Sequence, residues 1–282
     1  MSRWLRLPAR PEPLVLRAQA SGPVSVEGDD RTDMLARAER VAVVAHWDQE
    51  GRVGRSTRTL VVALSGAGYE TMLVSTSPGP GALDWVDGRP RDVTVMRRPN
   101  IGYDFGSWAT ALDRYPDIGR ARLVLLLNDS LAGPFAPIDR LLDHFDRSQA
   151  DVWGITDTRQ LRHHLQSYCL GFKGRCLESP SLSRFWREIR VEASRDAVIE
   201  RYELGLGRLL ERQHFTTDVA IPSWRVVDGD DNPTTIGWRG LLDAGFPFVK
   251  RQVLREPDVC PDGASVREEL RRRYGVEADE WL

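Results

Sequence analysis

The sequence predicts an α/β fold built on a mainly parallel sheet, and three observations carry that prediction. Leu123 to Leu127 is an unbroken apolar run. A run that short, without alternation, suits a strand buried on both faces, as in the middle of a parallel sheet. Strand-like runs alternate with helix-like ones through the first half of the chain, which argues for a layered α/β domain. The central run then stops at three small polar residues, Asn128-Asp129-Ser130, and Gly133-Pro134 breaks the chain before the next helix. Open α/β sheets place their ligand chemistry outside the carboxyl ends of the strands. The question is what Asp129 is there to hold.

In order, residues 1 to about 38 are rich in Pro, Gly, Ser and charge and read as an irregular lead-in or a short edge element. Arg40 to Ala45 is the first buried strand, ending at His46-Trp47-Asp48. A turn bearing Gly51 and Gly54 leads to a helix over Val53 to Ser65, closed by Gly66 and Gly68. Tyr69 to Ser75 is the second strand, Ser77 to Gly81 a loop, and Asp92 to Met96 the third strand. Asn100 to Gly106 opens a helix whose apolar face is Trp108, Ala111, Leu112 and Tyr115, at helical spacing. After the central strand, Pro137 suits a first helical position, with Ile138, Leu141, Leu142 and Phe145 as the buried stripe. Asp151 to Thr156 is the fifth strand. The second half is less regular. Leu165 to Phe172 reads as a strand; Pro180 to Ile189 and Ser194 to Gln213 read as helices, the second capped by Ser194 or Asp196. A short strand near Phe215 to Ile221, a helix near Thr235 to Ala244 and a basic helix over Ala264 to Tyr274 follow. Arg271-Arg272-Arg273 in the last turn of that helix suits the macrodipole. No linker separates the halves, so residues 39–282 read as one domain with an embellished C-terminal half.

The totals exclude several classes. The chain has 282 residues, 41% hydrophobic and 28% charged, and a net charge of -2, which gives no support for nucleic acid as a partner. No apolar run approaches bilayer-spanning length, and Met1 to Pro8 lacks a signal peptide's layout. Cys169, Cys176 and Cys260 show neither metal-ligand spacing nor an even-numbered disulfide framework, so a reducing cytoplasm is the default. No G-x-G-x-x-G follows a strand and no Walker-type lysine loop is present.

Four strand ends deliver polar clusters, and in a parallel sheet they share one edge. They are His46-Trp47-Asp48; Arg97-Arg98 running through Asn100 and Gly102 to Asp104; Asn128-Asp129-Ser130; and Thr156-Asp157 with His163-His164 behind. Asp129 suits a site for a hard cation or a diphosphate, since such a cation wants oxygen ligands; equally, Asn, Asp and Ser bond locally in turns. Around Gly102 the backbone can approach a ligand closely and the helix start offers N–H groups to an anion, while Asp104 can also simply cap its helix. His163-His164 could supply a base or bind phosphate, or be ordinary surface residues. Glu203 stands out because Gly205 and Gly207 follow it, and glycine inside a helix costs about 1 kcal/mol, which hints at close approach by something. Some of the nine tryptophans are candidates for a sugar-binding groove, with core packing the default.

Together these residues resemble the rhamnan synthesis protein F family of polysaccharide glycosyltransferases. The matching stretches are Val41 to Asp48, Arg98 to Trp108, Leu127 to Pro134, His164 to Tyr168, Tyr202-Glu203 and Gly245 to Arg251. The resemblance implies a GT-A-like layered fold, with a nucleotide-sugar half over about 39–150 and an acceptor half over about 151–282. It implies a dTDP- or UDP-linked sugar donor, rhamnose being the candidate sugar, and a glycan or lipid-linked glycan acceptor at the inner membrane face. Asp48 and Asp104 would hold the donor's base and ribose, with His46, Asn100 and Gly102 as further donor-binding candidates. Asn128, Asp129 and Ser130 would meet its diphosphate, with Lys250 and Arg251 neutralising charge. The family fold implies a Mg or Mn ion at a D-x-D acid pair; here that position reads Asn-Asp-Ser, leaving Asp129 as the acid. Asp157, His163 and Glu203 are the candidates for the general base that an inverting transfer needs. The rival readings are a non-catalytic glycan- or nucleotide-sugar-binding subunit of a synthase and, further off, a Mg-dependent phosphotransferase.

Overall fold

The computed structural model describes residues 24–27, 32–79 and 81–282. An eight-stranded sheet forms its centre. In chain order the strands are β1 (Ser25–Glu27), β2 (Arg40–His46), β3 (Glu70–Ser75), β4 (Val93–Arg97), β5 (Leu123–Asn128), β6 (Val152–Gly154), β7 (Cys169–Lys173) and β8 (Thr217–Val219). Their order across the sheet is β1-β4-β3-β2-β5-β7-β6-β8. β4, β3, β2 and β5 run parallel. β7 is antiparallel to both its neighbours, so β6 and β8 resume the direction of β5. Edge strand β1 is antiparallel to β4.

The unbroken apolar runs have a direct cause. Val41, Val43, Ala45, Val124 and Leu126 face one core, under the helices Tyr103–Arg114, Pro180–Arg187 and Leu204–Arg212. Ala42, Val44, Leu123, Leu125 and Leu127 face a second, under Arg55–Gly66 and Asp139–Arg147. A strand covered on both sides must be apolar at every position. A third cluster joins Trp238, Val253, Leu270 and Trp281 of the C-terminal segments to Ala132.

Several expectations are corrected. Leu165 to Phe172 is not one strand: His164–Leu165 pairs with Asp157–Thr158 in a separate small ribbon, Gln166 to Tyr168 turns, and β7 begins at Cys169. Pro137 precedes the helix, which starts at Asp139. The helix from Ser194 is interrupted by a π-helical turn, Ile199–Glu203, between Arg195–Val198 and Leu204–Arg212. Its cap is Ser194, whose side chain accepts from the Ala197 N–H. In the lead-in, β1 and the helix Thr32–Arg37 are regular; residues 1–23 lie outside the described residues. Trp108, Trp153, Trp186 and Trp238 are core, whereas Trp47 and Trp224 are exposed. Arg271, Arg272 and Arg273 are all ion-paired, to Glu277, Glu269 and Asp243 among others. Among the described residues no helix is long and apolar enough to cross a membrane.

Candidate functional site

β2, β4, β5 and β6 run the same way, so the four polar clusters that follow them open on one rim. At β2, His46 is buried, with Nδ1 3.1 Å from Ser75 Oγ and Nε2 3.2 Å from the Arg52 carbonyl. Burial pushes the imidazole below its ordinary pKa, against the pull of Asp129 and Asp48. Asp48 closes its own turn, accepting from the N–H groups of Glu50 and Arg52, both at 2.9 Å. At β5, Asn128 is engaged through both its amide nitrogen and its oxygen. Its amide donates to Asp104 at 2.7 Å, and its Oδ1 accepts from the N–H and Oγ of Ser130. Asp129 accepts from the Trp47 N–H at 3.0 Å, tying the ends of β2 and β5 together.

Asp104 stands on the first turn of the Tyr103–Arg114 helix, which Gly102 enters in the left-handed region (φ 79°). Burial, and then the Asp129 charge, raise its pKa to about 7, against the Asn128 hydrogen bond. A carboxyl so poised changes charge near neutrality.

The second wall comes from distant sequence. Val249–Lys250 pairs antiparallel with Leu131–Ala132, so two short motifs more than a hundred residues apart form one ribbon. The Arg251 N–H donates to the Ser130 carbonyl, pinning the ribbon beside Asp129. Lys250 and Arg251 then serve different sides: Arg251 lies in the field of Asp129 and Asp48, Lys250 in that of Glu203 and Arg195. Burial lowers the pKa of both.

Between the walls lies a cleft of about 190 Å³. Asp104, Asn128, Ser130, Glu203 and Lys250 line it, with Tyr103, His164, Gln166, Arg195 and Asn232. Glu203 belongs to the π-helical turn, accepts from the Ser167 N–H at 3.3 Å and stands 3.4 Å from His164 Nε2. Burial opposes its charge, but the His164 partnership wins and holds the carboxyl below its ordinary pKa. Burial likewise opposes charge on His164, and Glu203 and the Arg162 carbonyl overcome it, raising the imidazole. One of the two glycines after Glu203 finds its reason here: a Cβ on Gly207 would come within 3.2 Å of His164 Cβ, whereas one on Gly205 would meet nothing nearer than 3.9 Å.

Other expected residues fall outside the cleft: His46, Asp48, Gly102 and Arg251 do not line it, and Asp129 lines an adjoining hollow with Ser56 and Phe248. Asp157 is buried with both oxygens engaged, by Ser223 N–H at 2.6 Å and His163 Nε2 at 2.8 Å. His163, exposed, thus faces Asp157 and not the cleft. Asn100 is exposed and does not line the cleft. Sequence reasoning assigned no role to Arg195, Gln166 or Asn232. Gln166 bonds Thr156 at 2.7 Å and Asn232 at 3.2 Å, so it braces the cleft floor. The Asn232-Pro-Thr-Thr turn was the one local signal available for that brace.

Among the described residues no three acidic, histidine or cysteine side chains converge as a metal-holding group. Around Asp129 the neighbouring acids are engaged elsewhere, Asp104 with Asn128 and Asp48 with its own turn, and Arg251 supplies positive charge. That donor set suits an anionic ligand better than a divalent ion.

Comparison with known proteins adds identity to this geometry. The rhamnan synthesis protein F family model matches residues 91–273, from β4 through the basic helix. Virulence protein VirA of Vibrio anguillarum is 29% identical across 57% of this chain and 62% of its own length. An uncharacterized protein, y4gN, of Sinorhizobium fredii is 26% identical across 43% of this chain and 33% of its own. The chain thus spans less than two thirds of the curated relatives it matches.

Proposed function

We propose, for a chain that belongs to the rhamnan synthesis protein F family, that it is a glycosyltransferase of GT-A-like fold. It would move a sugar, rhamnose being the candidate, from a nucleotide-sugar donor onto a growing cell-surface polysaccharide. The family's description is of rhamnan synthesis, a polysaccharide function. The observation that carries the catalytic reading is the cleft itself. Asp104, Asn128 and Ser130 from the strand ends meet Lys250 of the ribbon on one side and the Glu203 turn on the other.

In this reading the donor's nucleotide lies along His46, Asp48 and Asp129, and Arg251 offsets the charge of its diphosphate. The sugar projects into the cleft beside Asp104 and Asn128. Of the three base candidates, Glu203 alone lines the cleft, so it is assigned the acceptor hydroxyl's proton. His164 and the Ser167 N–H orient that carboxylate. Charge compensation by Arg251 takes the place of a second metal-binding acid.

The test is donor hydrolysis or transfer by the purified protein across dTDP- and UDP-sugars. Asp129→Ala is expected to weaken donor binding by roughly tenfold or more, and chelation of divalent ions to change the rate by less than about twofold. Full activity in Asp129→Ala would reject the donor assignment; abolition by a chelator would restore a metal to Asp129.

One observation favours a second reading, a non-catalytic nucleotide-sugar-binding subunit. Asn128-Asp129-Ser130 carries one acid, and the Oδ1 and one N–H of Asn128 are engaged within the site. Calorimetric binding of a nucleotide sugar without turnover, acceptors supplied, would select it.

A further inference from the structure

Glu203 reaches the cleft from a helix that departs from regular geometry at that very turn. Over Ile199–Glu203 the chain makes a π turn, closed by the Leu204 N–H on the Ile199 carbonyl. Such a turn holds one residue more than an α turn, is rare, and recurs at functional sites. The extra residue rotates every side chain that follows it. Without contacts from outside the helix, the regular α pattern is the better bonded one. Two sets of contacts keep the π turn here. The Arg208 guanidinium donates to the Glu200 carbonyl at 2.9 Å. The other set is built on Tyr202, the residue immediately before Glu203.

Tyr202 is buried. Its hydroxyl accepts from the Arg190 N–H at 2.7 Å and donates to Glu192 Oε1 at 2.6 Å. The same Glu192 oxygen receives the Arg201 guanidinium at 3.0 Å. A carboxylate with 9% side-chain exposure thus grips two consecutive residues of the π turn. A charge so buried is costly unless donors satisfy it, so the anchor is held at both ends. The Tyr202 ring packs against Phe105, centroids 5.7 Å apart, and edge-on against Phe185 at 6.2 Å. Phe105 directly follows Asp104, as Glu203 directly follows Tyr202. One aromatic contact therefore joins the backbones that carry the two carboxyl groups lining the cleft.

We infer that Tyr202, anchored on Glu192, is the positioning residue that sets how Glu203 projects into the cleft. The inference rests on the glycosyl-transfer reading for giving Glu203 the acceptor's proton. His164 and the Ser167 N–H hold the carboxylate from the cleft side. Tyr202 holds the backbone behind it. Removing the hydroxyl takes one donor from Glu192 and lets the turn relax towards regular helix, which rotates Glu203 away from His164. A tyrosine that served the core alone would change stability and leave Glu203 where it is.

The experiment measures sugar transfer by the full chain, and the titration of His164 by proton NMR, in Tyr202→Phe, Glu203→Gln and the double variant. Tyr202→Phe is expected to lower kcat by roughly tenfold, since a small misplacement of a reacting group is costly, with donor KM within about twofold of wild type. In the Glu203→Gln background the same change should cost less than about twofold, because a residue that acts through Glu203 has nothing left to position. Equal losses in the two backgrounds would overturn the inference. The titration reads the displacement without turnover. Burial lowers the His164 pKa, and Glu203 with the Arg162 carbonyl more than reverses it, Asp157 adding in the same direction. Moving Glu203 away should therefore lower the midpoint, and a midpoint unchanged in Tyr202→Phe would also overturn the inference. Glu192→Ala strips the other end of the anchor and should repeat both effects, which keeps the test open if Tyr202→Phe does not fold. Glu192→Gln keeps an oxygen for the Tyr202 O–H and should restore the rate to within about threefold of wild type. A loss in Glu192→Gln as large as in Glu192→Ala would overturn the inference by giving the anchor to Arg201. Absence of turnover in wild type, with the midpoint still falling in Tyr202→Phe, rejects the transfer reading and leaves the anchor standing.

Discussion

The two walls of the cleft differ in how their polar groups are engaged. On the strand-end wall nearly everything is partnered within the protein: both ring nitrogens of His46, the amide of Asn128, the turn-closing oxygen of Asp48. On the wall contributed by the second half, Arg195 and Lys250 make no ion pair among the described residues, and Leu161 stands in water. The first wall is already organised and has little to gain from a ligand beyond hydrogen bonds. The second is where a ligand changes the energy most, since it can cover apolar surface there. Glu203, with its neighbours His164 and Gln166, crosses this division. Glu203 is on the second wall yet is fully held, by His164 and Ser167, as a group with a positional task would be.

That exception gives the largest expected effect. Glu203→Gln keeps the shape and can keep the hydrogen bonds but cannot accept a proton. The rate of transfer should fall by about 10² to 10⁴-fold, with nucleotide-sugar binding close to wild type. A rate within about threefold of wild type would remove Glu203 from the proton-transfer role and return the two walls to equal standing.

The next effect concerns what holds the walls together. Gly133 has φ 120°, and a Cβ there would lie 2.5 Å from the Pro247 carbonyl oxygen. The Phe135 N–H already donates to that carbonyl at 2.9 Å. Gly133→Ala must therefore push the two strands of the Leu131–Ala132 ribbon apart. Urea denaturation should report a loss of about 3 kcal/mol. A loss below about 1 kcal/mol would mean that the Val249 to Ala132 register does not couple the walls.

The contrast between walls is also a contrast in what can be read from sequence. The strand-end wall was legible because β2 and β5 are buried on both faces, so their apolar runs and polar stops are strong local signals. The second wall was not, for three physical reasons. Val249–Lys250 and Leu131–Ala132 are two-residue strands, too short for any periodicity, and their pairing is a long-range contact. β7 reads as a buried strand whichever way it runs, so its antiparallel placement between β5 and β6 leaves no trace in composition. Arg195 sits at the start of a helix among exposed residues, where an arginine carries no pattern. Asp157 and His163 show the converse: their spacing was suggestive, but it serves a mutual hydrogen bond and not the cleft. Glycine gave the most useful hint, because Gly207 reported the approach of His164.

The smallest effect tests the border between the walls, at Asp104. Its pKa of about 7 in the folded protein stands above the ordinary 3.8, because burial and then Asp129 disfavour the charged form. Between those two values the folded state binds more protons than the unfolded chain. The contribution of Asp104 to stability is therefore complete at low pH and is lost as pH rises towards about 7. Glu203 shifts the other way, its contribution being present above its unfolded pKa and lost as pH falls. A single melting curve therefore mixes the two, whereas the difference between wild type and Asp104→Asn isolates the first. Asn at 104 can still accept from the Asn128 amide, so the strand-end wall keeps its geometry. The stability of the variant relative to wild type should rise as pH is raised through this window and level off above it. A difference that stays constant with pH would show that Asp104 is ionised throughout. The negative charge would then belong permanently to the cleft, in the field of Arg195.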